Sequence, residues 1–147
     1  MQSNRLQLNA AKTEVLWCSS ARRQHQIPID PLMVGSDAVL SVRSVRDLGI
    51  YIDADLSMST HVSRTVSTCF ASLRQLRSIR RSVTMPILQS LVASLVLTKL
   101  DYGIATLAGL PDRQLNRLQS VLNAAARLVC SARKFDHITP LLRDLHW

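Results

Sequence analysis

The spacing of apolar residues changes once along this chain, and that change restricts its possible folds more than any other feature. Up to about Asp53 the apolar residues fall in short β-prone runs. Thr13, Val15, Leu16 and Trp17 form one run, and Val45 to Ile52 forms another with Gly49 inside it. An interior glycine of this kind predicts a bulge or a close backbone approach. Between these runs, Leu32 to Val34 and Val39 to Val42 flank Gly35-Ser36-Asp37, which predicts a hairpin. Residues 19–31, with two serines, two arginines and two prolines, read as a loop.

From Thr60 onward the period is helical. Val62, Val66, Cys69, Leu73 and Leu76 recur at spacings of three and four, which is one helix face, and this run ends near Arg81. A second helix is expected after Thr84, with Pro86 in its first turn. Its residues Ile87, Leu88, Leu91, Val92, Leu95, Val96 and Leu100 cover most of the circumference, which predicts burial in the middle of a bundle. A third helix carries Leu115, Leu118, Leu122, Ala125 and Val129. Thr139-Pro140 reads as an N-cap followed by proline at the first helical position, opening a fourth helix that runs to Trp147, so that the chain would end inside an element. The fold class expected is α+β, with a small β-rich part over residues 1–58 and a helical bundle over 59–147. Apolar residues make up 47%, sufficient for a packed core.

Charge follows the same division. Residues 1–60 carry six basic and six acidic side chains, whereas residues 61–147 carry twelve basic and four acidic ones, so the second half supplies the whole net charge of +8. Arginine outnumbers lysine 15 to 3, and the guanidinium fork matches phosphate oxygens better than an ammonium does. Such a half would prefer a polyanion, and nucleic acid is the default. Arg74, Arg77 and Arg81 stand at i, i+3 and i+7 and are expected to share one side of the first helix, with Arg80 nearby. Arg113, Arg117 and Arg127 lie off the leucine face of the third helix. For any one helix, the alternative is an ordinary solvated charged face.

Most other chemistries are excluded early. Cys18, Cys69 and Cys130 are odd in number and far apart, which is neither a disulfide framework nor a zinc site, and a reducing compartment fits. No apolar run follows Met1 to Arg5 as in a signal peptide. The stretch from Ile87 to Leu100 is too short and too polar for a membrane span. An intracellular, nuclear or cytoplasmic chain is expected, with neither a membrane nor a small-molecule substrate as partner. Four glycines are too few and scattered for a P-loop or dinucleotide fingerprint, and no GxSxG elbow occurs. Asp53 and Asp55 are the one close carboxylate pair. They could hold Mg²⁺, but with no third ligand nearby the favoured role is polarising the turn before Thr60. Asp136-His137 lacks a partnered nucleophile and reads as a solvated turn.

Five segments, taken in order, carry a resemblance: Leu6 to Leu16 (LQLNAAKTEVL), Val45 to Asp53 (VRDLGIYID), Leu100 to Pro111 (LDYGIATLAGLP), Leu118 to Leu128 (LQSVLNAAARL) and Asp136 to Trp147 (DHITPLLRDLHW). Together they resemble the downstream part of reverse transcriptases from non-LTR (LINE-type) retrotransposons, over nearly the whole chain. The resemblance implies that residues 1–58 are the end of the palm and residues 59–147 a thumb, truncated at its C-terminus. It implies that Lys12 is the lysine of motif D, placed to stabilise or protonate the leaving pyrophosphate. Gly49 would belong to the primer grip, where its backbone can approach the primer strand. The thumb would hold an RNA–DNA or other duplex by its phosphates. The family's Tyr-x-Asp-Asp pair does not occur in this chain, and it and the upstream metal-binding aspartate are expected before Met1. The resemblance therefore implies Mg²⁺ only for the complete polymerase, no cofactor for this chain, and no polymerisation by it alone. The rival expectations are a basic helical module that binds nucleic acid without any role in synthesis, and a helical protein-interaction module.

Overall fold

The computed structural model describes residue 9 and residues 12–35, 37–102 and 108–147. Ser36 of the expected hairpin, Gly103, and most of the segment before Lys12 lie outside the described residues. The chain is α+β, and it divides into two compact units, Met1–Thr60 and His61–Trp147.

In the first unit β1 (Leu32–Val34) pairs antiparallel with β2 (Asp37–Val39), and β3 (Ser44–Asp47) with β4 (Ile50–Asp53). The first hairpin stands where its flanking runs predict it, but Asp37 joins the strand opposite Val34 and β2 stops at Val39. Gly35 takes φ +68°, the left-handed conformation that a two-residue hairpin loop requires. The expected single strand over Val45 to Ile52 is corrected: it is a hairpin. Leu48 and Gly49 form its turn at φ +46° and +88°, so the chain reverses at Gly49 instead of bulging. Among the described residues, the expected run around Val15 makes a single parallel bridge, to Ser41, with the Val42 N–H donating to the Val15 carbonyl at 2.9 Å. The loop of residues 19–31 contains a short 3₁₀ helix, Ala21–Gln26. Gln24 Nε2 ties it down by donating to the Ser19 and Ala54 carbonyls at 2.9 and 3.1 Å. Among the described residues of this unit the one buried apolar side chain is Met58. Two-stranded sheets of three or four residues per strand are weakly stable alone.

The second unit is helical. The helix α1 (Ser59–Ile79) begins at the end of the first unit, and Val62, Cys69, Leu73 and Leu76 of the predicted stripe are buried along it. Then α2 (Met85–Val92) runs through a π-helical turn, Ala93–Leu97, into α3 (Thr98–Asp101). The Cys69 thiol donates to the Val96 carbonyl across 3.9 Å at this wider turn. Leu88, Val92 and Val96 are buried, but Ile87 is 52% exposed and Leu95 41%. The expectation of burial all round is therefore corrected to one buried face. The next helix, α4 (Asp112–Cys130), buries Val121, Ala125, Ala126 and Val129. Leu115 stays exposed, and Leu118 and Leu122 are half-buried. The apolar cluster unites α1, α2 with its π turn, and α4, and Leu145 and Trp147 pack against it.

The last helix, α5, spans Ile138–Asp144. Its N-cap is His137, so Thr139 and Pro140 are its second and third residues and the expected cap is corrected. Proline is tolerated there because the first four helical N–H groups have no intrahelical partner. Nor does the helix run to Trp147. His146 is left-handed at φ +56°, its N–H donates to the Arg143 carbonyl at 3.1 Å, and the Trp147 N–H donates to Leu142 at 2.9 Å. That pair of bonds is a Schellman stop. Ser131 closes α4 similarly, at φ +60°, with the Ala132 N–H donating to the Arg127 carbonyl at 3.1 Å.

Candidate nucleic-acid interface

Of the expected arginine trio, Arg74 and Arg77 line a groove that Arg81 does not. Arg74 and Arg77 are exposed side chains in the C-terminal part of α1. The helix ends at Ile79, and Arg80 and Arg81 lie in a 3₁₀ turn, Arg80–Ser82. Arg80, not Arg81, joins Arg74 and Arg77 around a groove of about 620 Å³.

The opposite wall comes from the end of α4. Arg127 stands in its last turn, and Arg133 and Lys134 follow the left-handed Ser131 that turns the chain back. Among the described residues, six cations thus line the groove and no carboxylate does. Leu73, Phe70, Ala124, Leu128 and Ala132 give it an apolar floor. Asp136 is engaged in the following turn, where one carboxylate oxygen accepts the Arg133 backbone N–H at 2.6 Å. Arg127 Nη2 reaches only the Asp136 carbonyl, at 3.5 Å, and its buried Nε has no hydrogen-bond partner. Both helices end here, so their negative dipole ends stabilise cations without any ligand. That accounts for Arg77 and Arg127 in the last turns, but not for Arg133 and Lys134 beyond the helix.

Arg113 and Arg117 stand apart from this groove. Arg117 precedes Arg127 by ten helical residues, about 15 Å along the axis. Its Nη1 donates to Ser63 Oγ of α1 at 3.0 Å and to Gln114 Oε1 at 3.3 Å, so it fastens α4 to α1. Arg113 is exposed in the first turn of α4. Lys12 and Gly49 belong to the other unit, Lys12 exposed and Gly49 in the β3–β4 turn.

Helical spacing does not point to Arg133 and Lys134. Their only signal is two adjacent basic residues after Ser131-Ala132, which helical periodicity cannot place because the helix has already ended.

The carboxylate pair of the first unit has a local role. Asp53 is 7% exposed, and its Oδ2 accepts the Thr60 backbone N–H at 2.9 Å, at the first turn of α1, and the Ser57 hydroxyl at 3.5 Å. Asp55 Oδ1 accepts the Ser57 N–H at 3.0 Å. Hydrogen bonding from Ser57 holds the Asp55 carboxyl below its ordinary pKa. These oxygens organise the turn and the helix start and are poorly free for Mg²⁺. Among the described residues no group of three or more His, Cys, Asp or Glu side chains is placed to hold a metal, and no helix is long and apolar enough to cross a membrane.

Comparisons of the chain with protein-family models, with curated proteins and with solved structures found no match.

Proposed function

We propose that this chain is a piece of an RNA-directed DNA polymerase of the non-LTR retrotransposon kind, one that contributes template–primer binding without the catalytic aspartates. Residues 1–58 correspond in this reading to the end of the palm and residues 59–147 to the thumb. The observation that carries it is the groove at the ends of α1 and α4, where among the described residues six cations meet without a lining carboxylate, in the half of the chain that supplies the whole +8. Phosphate oxygens are the natural partners of guanidinium forks, and phosphate contacts hold nucleic acid without reading its sequence. The ordered segments from LQLNAAKTEVL to DHITPLLRDLHW supply the polymerase part of the reading.

Mg²⁺ would serve the complete polymerase by activating the primer hydroxyl and neutralising the triphosphate. Asp53 and Asp55, bound into their turn, do not fit that task. The chain's place is intracellular, with nucleic acid and neither a membrane nor a small molecule as partner. The test is a primed RNA template with labelled primer, assayed for binding and for extension in Mg²⁺ or Mn²⁺. Retention of the template–primer without extension is expected. Extension that copurifies with the chain and vanishes in an Asp53→Ala, Asp55→Ala variant would overturn the reading, as would the absence of any binding.

A further inference from the structure

The groove has more than a charged rim. A duplex presents sugars and phosphates outward and keeps its bases stacked inside, so it has little to offer an apolar floor. A single strand exposes base faces along with its phosphates. Sites for single strands combine a positively charged track with apolar or aromatic surfaces for the bases. Here Arg74, Arg77 and Arg80 on one wall face Arg127, Arg133 and Lys134 on the other, and Leu73, Phe70, Ala124 and Leu128 lie between them. The volume of about 620 Å³ is in the range of pockets that hold one small ligand, and so suits a nucleotide or two.

We infer that the groove between the ends of α1 and α4 takes a single-stranded stretch of nucleic acid, with its phosphates on the two basic walls and its bases on the apolar floor. The inference rests on the proposed nucleic-acid function and names the form of the substrate: the unpaired strand that continues from a duplex, not the duplex itself. Its specificity for base identity is low, since among the described residues no polar side chain besides the cations lines the groove.

The experiment is fluorescence anisotropy of the whole chain with a labelled oligothymidylate and with a blunt-ended duplex of equal length, at matched salt. The single strand is expected to bind about tenfold more tightly or better. Ala132→Glu places a carboxylate in the groove without removing a cation, and should weaken single-strand binding by about tenfold. Arg77→Gln with Arg133→Gln, both at exposed positions and safe for folding, should flatten the single-strand salt slope by about 0.7 for each arginine. Tighter or equal binding of the blunt duplex would overturn the inference and leave the proposed function standing. Binding of neither probe would overturn both. Single-strand binding that ignores both variants would put the strand elsewhere on the chain and overturn the inference.

Discussion

Asp53→Ala should unfasten the start of α1. In the native chain Asp53 Oδ2 accepts the Thr60 N–H at 2.9 Å, one of the N–H groups left unpaired at a helix start, and the Ser57 hydroxyl at 3.5 Å. Losing a capping oxygen of this kind costs about 0.5–2 kcal/mol. Losing its negative charge near the positive end of the helix dipole costs about 0.3–1 kcal/mol more. The side chain is only 7% exposed, so water cannot readily replace the lost bonds. Asp53→Ala should therefore destabilise by about 1–3 kcal/mol. Asp53→Asn keeps an acceptor oxygen and loses only the charge, so about 0.3–1 kcal/mol is expected. Urea denaturation followed by circular dichroism at the helix band measures both, since α1 is 21 residues long and contributes heavily to that signal. An alanine variant within about 0.3 kcal/mol of wild type would refute the capping role. Stabilisation of the wild type by Mg²⁺, lost in Asp53→Ala, would reassign the carboxylate to a metal.

Four further outcomes are expected. Leu88→Ala, at a side chain 2% exposed, should cost about 2–5 kcal/mol in a denaturant titration, whereas Ile87→Ala, at 52% exposed, should cost well under half of that. Ser131→Gly relieves a left-handed residue at the end of α4 and should raise stability by about 0.5–1 kcal/mol, measured the same way. With a thiol reagent at pH 8, Cys18 should react quickly and Cys69 only on unfolding, because Cys69 is buried and desolvation pushes its pKa up, disfavouring the thiolate. The Asp55 carboxyl has its pKa lowered by Ser57, so its contribution to the turn is complete above the unfolded value near 3.8 and is lost as pH falls through the lower folded value. Asp55→Asn should accordingly flatten the acid limb of a stability–pH profile, slightly, since the group is exposed.

The helical half was legible because its core-forming residues repeat on one face. Val62, Cys69, Leu73 and Leu76 need no tertiary information to be recognised as a stripe. The second helix was less legible. Its residues are apolar nearly all round, so periodicity could not distinguish the buried Leu88, Val92 and Val96 from the exposed Ile87 and Leu95. The β3–β4 turn was hidden because leucine is a poor resident of a left-handed turn position, and Leu48 sits there at φ +46° among β-prone neighbours. Thr139-Pro140 carries the composition of a helix start and lies at one, displaced by two residues. The groove was half legible. Arg74, Arg77 and Arg127 follow from helical spacing, whereas Arg80, Arg133 and Lys134 are brought in by a 3₁₀ turn and a left-handed helix stop, which no period encodes.

The central claim is that the basic residues at the ends of α1 and α4 bind nucleic acid through its phosphates. Its most direct test is a salt titration of the whole chain with an RNA–DNA duplex carrying a single-stranded overhang, for the wild type and for an Arg74→Gln, Arg77→Gln, Arg80→Gln variant. Glutamine is a good helix former, so the fold should be kept. The logarithm of affinity should fall linearly with the logarithm of salt concentration, and the variant's slope should be shallower by about two to three. Identical slopes for the two proteins would mean that these arginines are only a solvated face at the helix ends, and would contradict the account.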